Sequence, residues 1–440
     1  MNTIVAKFGG SSLADAAQFR KVASIIRETP QRRYIVASAP GKRSDTDTKV
    51  TDMLYACYDA AVAREDYLPF LERIEARFAG IIGDLGISFD IAAEIAKIRA
   101  HLELEPQRDY MASRGEYLNS RILSVFLGFQ FIDAAQYVRF FENGSFDPQG
   151  TNEALKQALA DVPYAVVPGF YGALPDGTIH TFSRGGSDVT GSVVACAVDA
   201  DLYENWTDVS GILSADPRIV DKPHAIPYIT YRELRELSYM GASVLHEDAI
   251  FPVRKGKIPI NIRNTNDPEH PGTMIVSVLP IGANNRKVTG IAGRTGFSAV
   301  LIEKSMMNAE VGFGAKLLQI FARHGVSFEH TPSGIDTISV IVNTPQFCEK
   351  ETQILEDIQK ELEPDAVNVE HGLALIAVVG HGMAYSKGIA AHVFGAIADA
   401  HINIRMIDQG SSELNIIIGV EAADYDAAIR GIYHGLKDLI

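Results

Sequence analysis

The chain has 440 residues, 47% of them apolar and 22% charged, enough to bury sizeable cores in more than one domain. Its 40 Lys and Arg stand against 55 Asp and Glu, and the net charge of -15 argues against general binding to nucleic acid or to an anionic membrane surface. Cys57, Cys196 and Cys348 lie far apart, with neither metal-ligand spacing nor a disulfide pattern, as suits a reducing cytoplasm. The N-terminus shows no charged segment leading into an apolar one, and no apolar run approaches the length of a membrane span, so a cytoplasmic location with no membrane partner is expected.

The chain opens with a short apolar strand, Thr3 to Ala6, that runs into Lys7-Phe8-Gly9-Gly10-Ser11-Ser12. Glycines let backbone N–H groups approach an oxygen closely, a following helix presents its positive end, and Lys7 adds a full charge; a phosphate needs all three. No G-x-x-x-x-G-K-[ST] occurs, so this is not a Walker A loop, and a plain strand-to-helix turn fits the bare pattern equally well. Apolar spacing of three and four predicts helices over 15–28, 49–63 and 114–127, with strands at 34–38, 165–170 and 202–206. Such alternation implies a largely parallel sheet covered by helices on both faces, with ligands at the carboxyl ends of the strands.

Four further segments follow strands or head helices. Ser38-Ala39-Pro40-Gly41-Lys42-Arg43 leads through a charged stretch, read as a mobile solvated loop, to Lys49-Val50-Thr51-Asp52. In Ser113-Arg114-Gly115-Glu116 the glutamate either completes a helix cap or faces a ligand's ammonium group. Ser183-Arg184-Gly185-Gly186-Ser187-Asp188 opens a small-residue helix over 189–198; its guanidinium can grip a carboxylate in two-pronged fashion, and Asp188 as a helix cap is the plainer alternative. Trp206-Thr207-Asp208-Val209-Ser210-Gly211, closing at Asp216-Pro217-Arg218, offers polar groups for a ribose or base and an arginine for phosphate, or simply a capped loop with a proline turn.

Glycine, asparagine and proline concentrate at 264–273 and 282–286 and mark a boundary. Beyond it, 312–327 and 388–403 follow one plan, a glycine-started amphipathic helix running into a strand. Ser333-Gly334 and Gly410-Ser411-Ser412 then supply turns before a second β-branched strand. Two β-α-β-β units read as paired small α+β domains, too few for a solenoid.

In their order and spacing these segments resemble the aspartate kinases of the amino-acid-kinase fold. Lys-Phe-Gly-Gly-Ser-Ser is similar to that family's Lys-Phe-Gly-Gly-Thr-Ser. Ser-Arg-Gly-Glu, Arg-Gly-Gly-Ser-Asp and Trp-Thr-Asp-Val-x-Gly-Ile…Asp-Pro-Arg follow in turn, and the tail, with Gln409-Gly410-Ser411-Ser412-Glu413, resembles tandem ACT domains. The resemblance covers essentially the whole chain. It implies an α/β architecture: a three-layer αβα amino-acid-kinase fold with a mainly parallel sheet over 1–285, then two ferredoxin-like α+β ACT domains at 286–370 and 371–440, which can interleave. The implied reaction transfers the γ-phosphoryl group of ATP, used with Mg2+, to the side-chain carboxylate of L-aspartate. The products are ADP and 4-phospho-L-aspartate, the entry to lysine, threonine and methionine, and no fused homoserine dehydrogenase is expected.

The acceptor carboxylate, with a pKa near ~3.9, is already ionised at neutral pH, so no general base is needed. What must be supplied is positioning and charge neutralisation, and none of the 12 histidines needs a catalytic role. By match to the family's motifs, Lys7 bridges nucleotide phosphate and transition state, with the amides of Gly9, Gly10 and Ser11 around the γ-phosphate. Asp188 orients Lys7 without being a direct metal ligand, and no metal-binding residue is assigned. Arg184 grips a substrate carboxylate and Glu116 its ammonium group; Ser187, Thr51 and Ser38 complete the amino-acid pocket, and Thr207, Asp208 and Arg218 hold the nucleotide. Lysine or threonine is the expected inhibitor, at Gly312, Ser333, Gly334 and Asp336, and the ACT domains imply a homodimer or a tetramer.

Departures from the family pattern are Ser11 for threonine, Leu213 for tyrosine, Ser243 for lysine, Glu247 for proline and a long 40–48 segment. Rival readings are another kinase on the same fold and a catalytically inactive amino-acid sensor.

Overall fold

The computed structural model describes residues 2–183, 185–242, 245, 247–282 and 286–440, so Arg184 and Ser243 lie outside the described residues. Short runs rich in β-branched and aromatic residues form the first sheet. Its strands are β1 (Ile4–Phe8), β2 (Arg32–Ala37), β3 (Gln130–Phe131), β4 (Ala165–Pro168), β5 (Leu202–Thr207), β6 (Tyr228–Thr230), β7 (Ile260–Asn264) and β8 (Thr273–Val276), in the order β6-β8-β7-β5-β1-β2-β4-β3. Every neighbouring pair is parallel except β7 with β8. The order reverses between β1 and β5, and in an open α/β sheet a ligand crevice opens at such a point. Val5, Ala6 and Phe8 of β1 are fully buried, as expected of a strand covered on both faces.

Helices cover this sheet. Ala16–Glu28 is capped by Asp15, which accepts from the Gln18 amide at 2.9 Å, and turns Phe19, Val22 and Ile26 inward. Val50–Ala63 falls where apolar spacing predicts it, whereas the third predicted helix begins earlier, as Arg108–Leu127. Leu68–Leu85, Ile91–Leu104 and Pro148–Leu159 were not predicted. A buried ion pair steadies β5: Arg32 meets Glu204 at 2.7 Å, and the Trp206 indole donates to the same carboxylate at 2.8 Å. The guanidinium groups of Arg32 and Arg263 lie 5.2 and 4.6 Å from the Trp206 ring.

The stretch 264–273 is not a boundary. It is the connection that reverses the chain from β7 into β8, within the first sheet. By contact density the chain forms two compact units. One comprises Met1–Ile212, Ala225–Tyr231 and Val244–Leu279; the other comprises Leu213–His224, Arg232–Ser243 and Pro280–Ile440.

The second unit carries one antiparallel sheet built from β9 (Gly290–Glu303), β10 (Phe328–His330), β11 (Thr337–Asn343), β12 (Ala366–Val379), β13 (Met406–Asp408) and β14 (Asn415–Glu421), in the order β10-β11-β9-β12-β14-β13. The two repeats thus share a sheet through two long strands. The start of β9 pairs with the end of β12, and the end of β9 with the start of β12. Helices Phe313–Arg323 and Glu351–Leu362 bury Leu317, Phe321, Ile354 and Ile358 in one half; Ile389–Asp399 and Tyr425–Gly435 bury Val393, Ile397, Ile429 and Ile432 in the other. Among the described residues no helix is long and apolar enough to cross a membrane.

Candidate active site

At the carboxyl end of β1 the chain turns sharply. The Gly9 amide donates to the Trp206 carbonyl at 2.9 Å, and a 3-10 turn over Ser11–Leu13 follows, in which the Ser12 amide donates to the Gly9 carbonyl at 3.1 Å. The Ser12 and Thr265 hydroxyls lie 2.7 Å apart and tie this turn to the loop after β7. Gly10 is a glycine because nothing larger fits: a Cβ there would lie 2.8 Å from the Ala39 carbonyl oxygen. The Gly41 amide donates to the Gly10 carbonyl at 2.8 Å, so the turn after β1 and the turn after β2 pack backbone on backbone.

Lys7 and Asp188 meet at 2.6 Å between Nζ and Oδ1. Asn205 joins them: its Nδ2 donates to Asp188 Oδ1 at 3.0 Å, and its Oδ1 accepts from Lys7 Nζ at 3.4 Å. Lys7 and Asn205 are direct cross-strand partners of β1 and β5, at the reversal of the sheet. Asp188 sits in the first turn of helix Gly186–Ala197, and its carboxylate turns to Lys7 and Asn205. The start of that helix at Gly185, φ 57°, has no side-chain cap, so the capping alternative for Asp188 falls. Sequence reading missed Asn205; its signal was an uncharged polar residue in a strand buried almost throughout.

Helix Arg108–Leu127 begins well before Glu116, which places that residue mid-helix and removes its capping alternative. The Glu116 side chain is buried, and its Oε2 has no hydrogen-bond partner among the described residues. Burial pushes its carboxyl up to about 8, opposed by the Ala39 and Glu116 backbone amides and by the charges of Arg114 and Lys7. Gly115 packs so tightly on Ala39 that a Cβ would lie 2.7 Å from the alanine methyl, and Asn119 Nδ2 donates to the Ser38 carbonyl at 2.7 Å. One helix thus sets both the carboxyl group and the loop after β2. A buried carboxyl group with one oxygen unpartnered among the described residues can accept a cation there.

Around this centre, Ser187 packs against the backbone of Gly169, whose Cβ would lie 2.6 Å from the serine side chain. Thr51 is half-buried in the first turn of Val50–Ala63. Thr207 donates to Asp208 at 3.1 Å, beyond the end of β5. The 40–48 segment is exposed over 42–46, as its charge suggests, and is tied to the fold at Asp47 and Gly41. Arg77, which is buried, meets Asp47 at 2.6 Å and donates to the Ala14 and Gly41 carbonyls, both at 2.8 Å. The structure brings Lys7, Asp188, Glu116, Ser38 and the 9–11 turn together. Arg218 falls in the other compact unit, where it clasps Asp216 at 2.6 Å with its side chain 87% exposed. Of the expected effector positions, Gly312 starts a helix at φ 87°, Asp336 accepts from the Met306 amide at 2.9 Å, and the Gly334 amide donates to the Thr337 carbonyl at 2.7 Å.

These features agree with the comparisons to known proteins. The model of the amino acid kinase family matches residues 2–264, and that of an ACT domain matches 376–436. The fold and the phosphate-type turn therefore define an amino acid kinase carrying an ACT domain. Aspartokinase 3 of Bacillus subtilis (strain 168) is 39% identical over 448 residues, covering 98% of this chain and 97% of that protein. The crystal structure of Clostridium acetobutylicum aspartate kinase is 48% identical, with a TM-score of 0.88, covering 99% of this chain and 100% of that one. E. coli aspartokinase III, in complex with aspartate and ADP, is 25% identical with a TM-score of 0.75, covering 99% and 100%. The chain belongs to the aspartokinases, and its activity is the ATP-dependent phosphorylation of aspartate.

Proposed function

We propose that the reaction is carried by Lys7 at the reversal of the first sheet, held between Asp188 and Asn205, with the amides of Gly9, Gly10 and Ser11 around the γ-phosphate. The observation that carries this is the Lys7–Asp188 contact at 2.6 Å beside a turn in which Gly10 has no room for a side chain. The side-chain carboxylate of aspartate attacks the γ-phosphorus, the bond to the bridging oxygen of ADP breaks, and no proton needs to be removed. Lys7 neutralises the meeting of two anions, and Asp188 acts through Lys7 by fixing its direction. Glu116 takes the substrate's ammonium group and Arg184 a carboxylate; Ser38, Thr51 and Ser187 complete the pocket, and Thr207, Asp208 and Arg218 attend to the nucleotide.

Mg2+ fits this reading as a companion of the nucleotide. The side chains at this end of the sheet are oxygen donors and a lysine, with Asp208 the exposed carboxylate available to it, and a hard cation prefers such donors. Bound there, it supplies charge neutralisation on the phosphates.

Purified protein is expected to form ADP only when aspartate is added. In Lys7→Ala, kcat is expected to fall by at least about 10³-fold while the fold survives, by analogy with the loss of a principal electrostatic donor. Turnover near the normal rate in that variant removes the assignment, and ATP consumption indifferent to aspartate removes the substrate.

Feedback control through the second unit and homodimer or tetramer assembly belong to the same proposal, supported by the ACT match. A cytoplasmic location and domain limits at 285 and 370 are kept with it, the second limit falling within the strand Ala366–Val379 that both halves share. Lysine and threonine, titrated separately and together, are expected to lower activity through Gly312, Ser333, Gly334 and Asp336. Such an effector must prefer one of two arrangements of the protein. Indifference to both amino acids ends this part of the reading.

A further inference from the structure

Cys348, Glu351 and His371 lie on three different pieces of the second unit and converge. Cys348 ends the short helix Thr344–Cys348, Glu351 begins helix Glu351–Leu362, and His371 lies in β12. One ligand atom from each, a thiol sulfur, a carboxylate oxygen and an imidazole nitrogen, falls within 4.8 Å of the others. Cysteine spacing alone gave no hint of this, because only Cys348 and Glu351 are close in sequence and the histidine arrives from the sheet.

Two details of the sheet aim the histidine. The pairing of β9 with β12 runs Ala299 with Glu370 and then Phe297 with Leu373, so His371 and Gly372 together form a bulge opposite Ser298. Gly372 has φ 76°, the left-handed region that lets the strand make this step, and bulges redirect side chains. Ser298, fully buried, then holds the ring: its Oγ lies 2.8 Å from His371 Nδ1 and 2.8 Å from Thr344 Oγ1. With Nδ1 engaged there, Nε2 faces Glu351 Oε2 at 3.3 Å and the cysteine beyond it. Metal-binding histidines are characteristically oriented through their other ring nitrogen in this manner.

We propose that Cys348, Glu351 and His371 form a binding site for a zinc-class divalent ion, distinct from the nucleotide site. A set of one sulfur, one nitrogen and one oxygen donor suits a borderline-soft cation such as Zn2+ and leaves a fourth tetrahedral position for water. Binding replaces the thiol proton, which is released to solvent, and converts the His371–Glu351 pair into two metal ligands. The ion joins the junction of two helices to the long strand shared by both halves of the sheet.

Co2+ titrated into the full-length, untagged chain tests this. A thiolate-to-cobalt charge-transfer band is expected, saturating at one equivalent and abolished by excess Zn2+. Mg2+-type binding at the nucleotide site cannot produce that band, because no cysteine is among the residues assigned there. Cys348→Ser is expected to abolish the band, and Ser298→Ala to weaken Co2+ binding by about 10- to 100-fold, as loss of an orienting partner does. His371→Asn serves as the independent variant, with aspartate-dependent ADP formation as the check that each protein is folded. Absence of the band from the unsubstituted chain overturns the proposal, as does its persistence in Cys348→Ser or His371→Asn.

Discussion

At the scale of single residues, the informative contrast is between two acids, the half-buried Asp188 and the buried Glu116. Asp188 has a cation at 2.6 Å, whereas Glu116 has an oxygen with no partner and a carboxyl group pushed up to about 8. If Glu116 receives the ammonium group of aspartate, it must do so as carboxylate, so binding below pH 8 expels a proton. The KM for aspartate should therefore fall as pH rises toward 8 and level off above it. The linkage to stability has the opposite sense. The folded pKa is raised above the unfolded value of about 4.3, so the contribution is fully present below that value and is lost as pH rises through about 8. Glu116→Gln is expected to melt higher than the parent at pH 8 to 9, to show less advantage near pH 5, and to raise the aspartate KM by about one to two decades. Melting curves across pH together with substrate titrations check both halves, and a variant that gains stability without losing affinity would argue against the ammonium role. Lys7, Asp188 and Glu116 were legible because each belongs to a short polar string with glycine beside it. Asn205 was not, since its role exists only through its register with Lys7, 198 positions away.

At the scale of elements, the first sheet was legible from its apolar runs, but the ties of the loop that follows β2 were not. The 40–48 segment is charged, and charge alone reads as solvation. Its ties to the fold come from Arg77, in a helix absent from the sequence reading, whose buried guanidinium spans Asp47 and the carbonyls of Ala14 and Gly41. The hydrogen bonds from Arg43 first, and then from Arg77, hold the Asp47 carboxyl well below the usual carboxylate range, so the tie persists at any working pH. Through Gly41 this loop braces Gly10, and the two neighbouring glycines should respond differently to the same change. A methyl group at Gly9 meets only ordinary contacts, 3.5 Å from the Trp206 carbonyl, whereas one at Gly10 meets the Ala39 carbonyl at 2.8 Å. Neither glycine has positive φ, so the difference is steric and not conformational. Gly10→Ala should lower the melting temperature and, by displacing the turn, reduce kcat by about 10²-fold. Gly9→Ala should melt close to the parent. Equal melting temperatures for the two would show that the turns after β1 and β2 are not packed backbone on backbone.

At the scale of the whole molecule, the chain divides at Leu279 and Pro280, close to the change of composition at 282–286, but two earlier segments also belong to the second unit. Periodicity found one helix in each half of the second unit, Phe313–Arg323 and Ile389–Asp399, but not Glu351–Leu362 or Tyr425–Gly435. Nor could it show that residues 213–224 and 232–243 fold with them, because that allocation rests on contacts across dozens of intervening positions. Ser214 accepts from the Ile291 amide at 2.7 Å, and Glu233 accepts from the Thr289 hydroxyl at 2.6 Å and from the His381 amide at 2.8 Å. Asn415 donates to Glu236 at 2.6 Å, and Leu234 and Leu237 are almost wholly buried. A fragment cut at the compositional boundary, 286–440, keeps the six-stranded sheet but loses these partners. Thr289, only 5% exposed in the intact chain, would be left without its carboxylate, and the cover provided by Leu234 and Leu237 would be gone. Unpaired buried polar groups cost about 1–3 kcal/mol each, so the fragment should melt several degrees below the same fragment mixed with a peptide of residues 213–243. Amide exchange at Ile291 and His381 should slow when the peptide is added. Should the peptide change neither melting nor exchange, residues 213–224 and 232–243 are not part of the second unit. If it does, the chain that follows β5, the strand that carries Asn205 and Thr207, passes into the second unit at Leu213.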